Sequence, residues 1–236
     1  MQHKQLFQSG WFYRLFFICA ICAVASSLLN QQSDAIFWRW LHYITKPAAT
    51  LFLLCAIFTA PRLISRTYGL TIAAGLAFAL AGDFFLMLPG DYFLAGLVCF
   101  LITHCIYIYA LSQNTKFAGH KLVFVIFGIL AISIIASLWT SLPNAMKLPV
   151  VIYATAIGIM AAQALSRALS TPRKTAPCYG AWLAAAGGFF FMASDTLLAF
   201  NRFHTPISLS GLWVLSTYYI AQFLFARSTE NFAYER

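Results

Sequence analysis

Apolar residues run along the chain in eight long blocks, separated by short breaks rich in proline, glycine, asparagine and basic side chains. About twenty apolar residues cross a bilayer as a helix, fewer where neighbouring helices shelter the ends. On that ruler the blocks predict spans at 11–29, 46–60, 68–88, 92–111, 121–140, 148–169, 179–200 and 206–227. The breaks hold Pro61, Pro89-Gly90, Pro143-Asn144, Pro172, Pro177 and Pro206, residue types that interrupt helices. The second block is the shortest. It begins at Lys46-Pro47, which reads as a helix start, because proline in a first turn lacks only an N–H that has no partner there. Just before it, Asp34–Tyr43 is amphipathic and rich in tryptophan, which predicts an anchor lying in the membrane interface. The expected fold is all-α, a polytopic eight-helix bundle in one integral membrane domain. The first helix is expected to be retained rather than cleaved near Ala23–Ser27, since a short loop and a full set of spans follow.

Composition agrees with this class: 61% of the 236 residues are hydrophobic and 9% charged, against roughly 25% charged in soluble domains. The net charge of +9 does not imply nucleic acid, because the basic residues fall between apolar blocks and form no stripe. They orient the bundle instead. Lys4, Arg14, Arg62, Arg66, Lys116, Lys121, Arg167, Arg173, Lys174, Arg227 and Arg236 share one side, leaving Arg39, Lys46, Lys147 and Arg202 on the other. The positive-inside rule then predicts cytoplasmic N- and C-termini in a multi-pass protein of a bacterial inner (plasma) membrane. The six cysteines are dispersed and read as small apolar fillers, Cys19 and Cys22 included, since that CxxC has no partner pair.

Against this background Asp83 and Asp195 stand out, each well inside an apolar block of a chain with six acidic residues. A carboxylate at the centre of a membrane helix costs roughly 2.5–3.5 kcal/mol on insertion scales, so two in matching contexts suggest shared chemistry. Aligning them places Tyr107 on Tyr219, and three helices lie between the two spans, so these run in the same direction. Two parallel four-helix repeats with a site at their interface are one reading; chance likeness between two Phe- and Leu-rich hairpins is the other. On the same logic His104 and Tyr107 share one face of helix four, and Ser216, Tyr219 and Gln222 one face of helix eight. Lys46 and Tyr153 are expected near the outer ends of helices two and six.

These residues carry a family likeness. Ala81-Gly82-Asp83, then Gly96-Leu97, Phe100-Leu101 and His104 to Tyr107, resemble the signature of the lysoplasmalogenase (YhhN-like) family of membrane proteins. Lys46-Pro47, Ser194-Asp195 with Asn201-Arg202-Phe203, and Thr217-Tyr218-Tyr219 with Gln222 are similar to its other blocks. The resemblance covers Lys46 to Gln222. It implies an eight-helix hydrolase that cleaves the vinyl-ether bond of lysoplasmalogen to a fatty aldehyde and glycerophospho-ethanolamine or -choline, with the paired aspartates catalytic.

The chemistry suits the residues. Vinyl-ether hydrolysis needs an acid to protonate the distal alkene carbon, and a carboxylate to stabilise the oxocarbenium-like cation and activate water, as carboxyl pairs do in glycosidases. Two carboxyls in an apolar bundle are expected to hold one proton between them, since burial and mutual repulsion both disfavour the doubly ionised pair. The sequence does not assign the two roles. Asp83 and Asp195 are expected to face each other across an outward-opening cavity, with His104, Tyr107, Tyr219 and Gln222 lining its depth. Lys46 and Arg202 would meet the lysophospholipid's phosphate at its mouth, with Tyr153, Ser194 and Asn201 as further substrate contacts. No metal or cofactor is expected: His3, His42, His104, His120 and His204 are scattered, and no GxSxG occurs. A proton-coupled transporter is the alternative, for which Gly or Pro should break corresponding spans, and no span is expected to contain a central proline. A lipid- or pigment-binding bundle is a third; a Schiff base there would need a mid-helix lysine, and none is expected.

Overall fold

The computed structural model describes residues 2–32, 36–60, 63–173, 175 and 177–231, without the side chains of 2–8, 31 and 32. Asp34, Pro61, Arg62, Lys174 and Arg236 lie outside the described residues, as does the side chain of Lys4. Among the described residues there are eight helices: α1 (Gln2–Gln32), α2 (Ile36–Thr59), α3 (Arg66–Met87), α4 (Phe93–Ser112), α5 (Lys121–Leu138), α6 (Asn144–Ser170), α7 (Pro177–Phe203) and α8 (Ser210–Arg227). The first seven are long and apolar enough to cross a membrane. The eighth is as long as α5 but interleaves Ser216, Thr217, Tyr218, Tyr219 and Gln222 with its apolar residues.

Sequential helices pair as hairpins, α1 with α2, α3 with α4 and α7 with α8, while α6 packs on α4, α5 and α7. Helix α8 meets α1, α2 and α3, and so closes the bundle. Helix α1 belongs to this packing: Phe16 lies against Tyr219 and Phe223. The outer surface is apolar, with Ile21, Phe58, Leu122, Ile129, Ile132 and Phe189 all exposed, whereas Lys46, Asp83, Thr103, His104, Gln163 and Gln222 are buried. That inversion is what a lipid solvent imposes. Close helix approach uses Gly75, where a Cβ would sit 2.2 Å from Cε1 of the Tyr107 ring.

The largest departure from the predicted spans is α2. The tryptophan-rich segment is not a separate anchor but the first turns of the same helix, with Ile36, Phe37, Trp40 and Ile44 exposed. Pro47 therefore lies inside a helix, where it has no N–H to offer the carbonyl of Tyr43. Lys46 becomes a mid-helix residue. Helix α7 likewise runs past its expected break, so Asn201 and Arg202 fall in its last turn, and Tyr153 lies nine residues, about two and a half turns, into α6.

One end of the bundle is tied shut by polar contacts. Tyr68 Oη bonds Ser228 Oγ at 2.8 Å, Tyr13 Oη donates to Glu230 at 2.5 Å, and Arg227 pairs with Glu230. At the other end α1, α2, α3, α4, α7 and α8 surround an opening.

Candidate active site

Asp83 sits four residues before the end of α3 and is 2% exposed. Helix α2 brings Lys46 Nζ to 3.2 Å from its Oδ1, and α8 brings the Tyr218 hydroxyl, which donates to Oδ2 at 2.5 Å. Behind Tyr218 the bonds continue inward. Gln222 Nε2 donates to Tyr218 Oη at 2.9 Å, and Tyr107 Oη donates to Gln222 Oε1 at 3.2 Å. Because Gln222 occupies a lone pair of Tyr218, that hydroxyl's own proton is directed at Asp83. Both oxygens of Asp83 thus accept from strong donors, one of them a buried cation.

Asp195 has a different setting. Its Oδ2 accepts from the Tyr153 hydroxyl on α6 and lies 3.4 Å from His104 Nε2 on α4. His104 Nε2 is also 3.0 Å from Tyr153 Oη, and His104 Nδ1 is buried with no partner. With Tyr153 donating to Asp195, its oxygen can accept from Nε2–H, which leaves the orphaned Nδ1 as a bare lone pair; an imidazolium would bury an unpaired N–H. The other oxygen of Asp195 has no protein hydrogen-bond partner among the described residues.

Both carboxyls line one cavity of about 340 Å³, together with Lys46, His42, Ser194, Tyr218, Asn201, Arg202 and Asp91. No hydrogen bond joins them: among the described residues each has its own partners, so a proton held directly between the two is not what this geometry gives. A narrower apolar slot opens beside Asp195, lined by Leu97, Val150, Tyr153, Ala199 and Phe203, and shares Leu86, Phe93, Phe100 and Leu198 with the main cavity. Among the described residues no three His, Cys, Asp or Glu side chains gather as a metal-binding group.

Residues 41–229 match the YhhN family. The chain belongs to the YhhN family. It is 31% identical over 170 residues to lysoplasmalogenase TMEM86A of Homo sapiens, covering 70% of this chain and 68% of that one. Against lysoplasmalogenase TMEM86A of Bos taurus it is 30% identical over 172 residues, with the same coverage. Against lysoplasmalogenase TMEM86B of Sus scrofa it is 27% identical over 228 residues, 97% of this chain and 90% of that one. No solved structure matches it.

In this YhhN-family chain the predicted site residues separate into layers. Asp83, Asp195, Lys46, Ser194, Asn201 and Arg202 reach the cavity wall. Ser194 Oγ donates to the Val214 carbonyl at 3.0 Å and so holds α7 to α8, while Asn201 Oδ1 accepts from the Ile207 amide at 2.9 Å and holds α7 to the loop before α8. His104, Tyr107 and Gln222 do not line the main cavity; they lie behind it as supports. Tyr219 is displaced altogether, its hydroxyl buried without a partner and its ring against Phe16. Lys46 is not at the mouth but paired with Asp83. A mid-helix lysine and a mid-span proline therefore both exist, contrary to expectation, because the helix begins ten residues earlier than the apolar count implied. Sequence reasoning passed over Tyr218, His42 and Asp91. Tyr218 had a signal, standing four residues before Gln222, and His42 precedes Lys46 by the same helical step.

Proposed function

We propose that this protein is an intramembrane lysoplasmalogenase, cleaving the vinyl ether of a lysophospholipid to a fatty aldehyde and glycerophospho-ethanolamine or -choline. The observation that carries the reading is the pair of unlike carboxyls on one cavity, in a chain whose relatives bear that name. Asp83, held by Lys46 and Tyr218, is the ionised member. Asp195, with one oxygen free of protein partners among the described residues, takes the role of proton donor.

The alkenyl tail enters the apolar slot, which brings the double bond past Asp195 as the glycerol turns into the wider cavity. Asp195 gives its proton to the distal alkene carbon, and the carbon bearing oxygen becomes cationic. The Asp83 carboxylate faces that charge in a site already arranged for it. Water adds to the cationic carbon and returns a proton to Asp195. The hemiacetal then breaks its bond to the glycerol oxygen, its hydroxyl proton passing to that oxygen as the aldehyde forms. His104 and Tyr153 orient Asp195; Gln222 and Tyr107 orient Tyr218.

The same reading takes α8 as an eighth span. At 1.5 Å per residue its 18 residues reach about 27 Å. It also puts the opening on the outer side with both termini cytoplasmic, as the charge bias implies. Since Lys46 lies within the membrane, it leaves the outer side still poorer in basic residues.

The test is aldehyde release from purified protein given lysoplasmalogen, its saturated ether analogue and its ester analogue. Cleavage of the vinyl ether alone, lost in both Asp83→Asn and Asp195→Asn, is the expected result; near-normal turnover in either variant defeats the two-carboxyl mechanism. One observation favours a proton-coupled carrier: a proline, Pro47, stands inside α2 beside a buried Lys46–Asp83 pair. Proton-driven flux in liposomes with no aldehyde from any of the three lipids would select that reading.

A further inference from the structure

At the rim of the cavity Arg202 Nη2 lies 2.6 Å from Asp91 Oδ2. These two are exposed, at 44% and 71% of their side chains, while the ions deeper in the cavity are committed to one another. We propose that Asp91 and Arg202 form a headgroup clamp. Arg202 takes the phosphate of a zwitterionic lysophospholipid and Asp91 its ammonium, the two residues exchanging their mutual bond for bonds to the lipid. The inference rests on the hydrolase reading and names the residues that read the headgroup at the same site.

Three features support it. First, Arg202 is seven residues beyond Asp195 on α7, which places it on the same helix face and about 10 Å further out, roughly a glycerophosphate arm from the reacting carbon. Asp91 lies beside Arg202, in the turn that follows α3. Second, both side chains have capacity to spare. Arg202 has no protein acceptor for Nη1 or Nε among the described residues, and its guanidinium is steadied over the Phe93 ring at 5.3 Å. Asp91 Oδ1 accepts only a long 3.3 Å bond from the Phe93 amide. A planar guanidinium with free donors matches a phosphate bidentately. Third, an ion pair this exposed contributes little to the fold, so exchanging partners costs little. Asp91 also adds discrimination, because a bare anionic headgroup would meet a like charge beside Arg202.

The test compares saturated 1-alkyl lysophospholipids, which cannot be cleaved, carrying either an ethanolamine phosphate or a bare phosphate head. Affinity is followed by intrinsic tryptophan fluorescence in neutral micelles, alongside KM for the corresponding vinyl ethers. Wild type should prefer the ethanolamine head. Asp91→Asn should cut that preference about tenfold or more, the worth of at least one charged hydrogen bond, by weakening the zwitterion and relieving the repulsion of the bare phosphate, and Arg202→Gln should weaken both lipids. The reversed pair, Asp91→Arg with Arg202→Asp, keeps a salt bridge yet misplaces both charges, so it should not restore affinity. An unchanged preference in Asp91→Asn, wild-type affinity in the reversed pair, or no binding of either lipid overturns the clamp. Absence of aldehyde from the vinyl ethers would defeat the hydrolase reading, while the affinity comparison would still decide the clamp.

Discussion

Lys46→Met removes the cation from a buried carboxylate and exposes what the pair does. Nζ and Oδ1 are 3.2 Å apart, with the side chains 8% and 3% exposed. At an effective dielectric near 20 their attraction is about 5 kcal/mol, most of it offset by the desolvation of both ions. Removing one partner does not return that desolvation: it leaves Asp83 facing only Tyr218, a situation that typically costs 3–5 kcal/mol. Because Asp83 borders a cavity that water can enter, the lower end, about 3 kcal/mol, is expected from thermal unfolding in detergent. Asp83 then regains stability by taking up a proton, and so loses the negative charge that faces the cationic carbon. Aldehyde release should fall by about 10²–10³, the scale of losing a preorganised electrostatic group. The double variant Lys46→Met with Asp83→Asn, which buries no net charge, should recover about 2 kcal/mol of that stability but none of the turnover. A single variant within about 1 kcal/mol of wild type, or a double variant no more stable than the single, would refute a buried ion pair as the element that holds Asp83 ionised.

Other substitutions separate neighbouring residues with unlike roles. Tyr218→Phe removes the donor to Asp83 and should cost about 1.5–3 kcal/mol in transition-state stabilisation. Tyr219→Phe removes a buried hydroxyl with no partner and should be neutral or stabilising by up to about 1 kcal/mol; kcat/KM for the two variants side by side decides between them. Tyr153→Phe frees Asp195 from its donor, and should lower kcat more than it raises KM if that tyrosine orients the acid. Gly75→Ala drives a methyl into the Tyr107 ring and should cost about 3 kcal/mol or more, visible as a lower melting temperature and poor yield. Glu230→Gln, at the sealed end, should lower stability by about 1–2 kcal/mol and leave aldehyde release intact; a large activity loss there would show that the two ends communicate.

Much of this protein was legible in the chain because lipid makes hydrophobicity a length measurement. Among the described residues eight helices overlap the predicted apolar blocks, seven of them long and apolar enough to cross a membrane, where a backbone must satisfy its own hydrogen bonds. Asp83 and Asp195 were conspicuous for the same reason: a carboxyl inside an apolar block has few cheap explanations. Where the ruler failed, the cause was local. Charge and proline at Lys46-Pro47 both look like the end of a helix, although the amphipathic turns before them are helical too. What the sequence could not supply was pairing across helices. Lys46 finding Asp83, Tyr153 finding Asp195, and Tyr218 rather than its neighbour turning inward all follow from the relative rotation and height of helices far apart in the chain. Composition sets how many helices there are and roughly where each lies. Only the packed bundle decides which polar group on those helices meets which, and so makes two identical carboxyls chemically different.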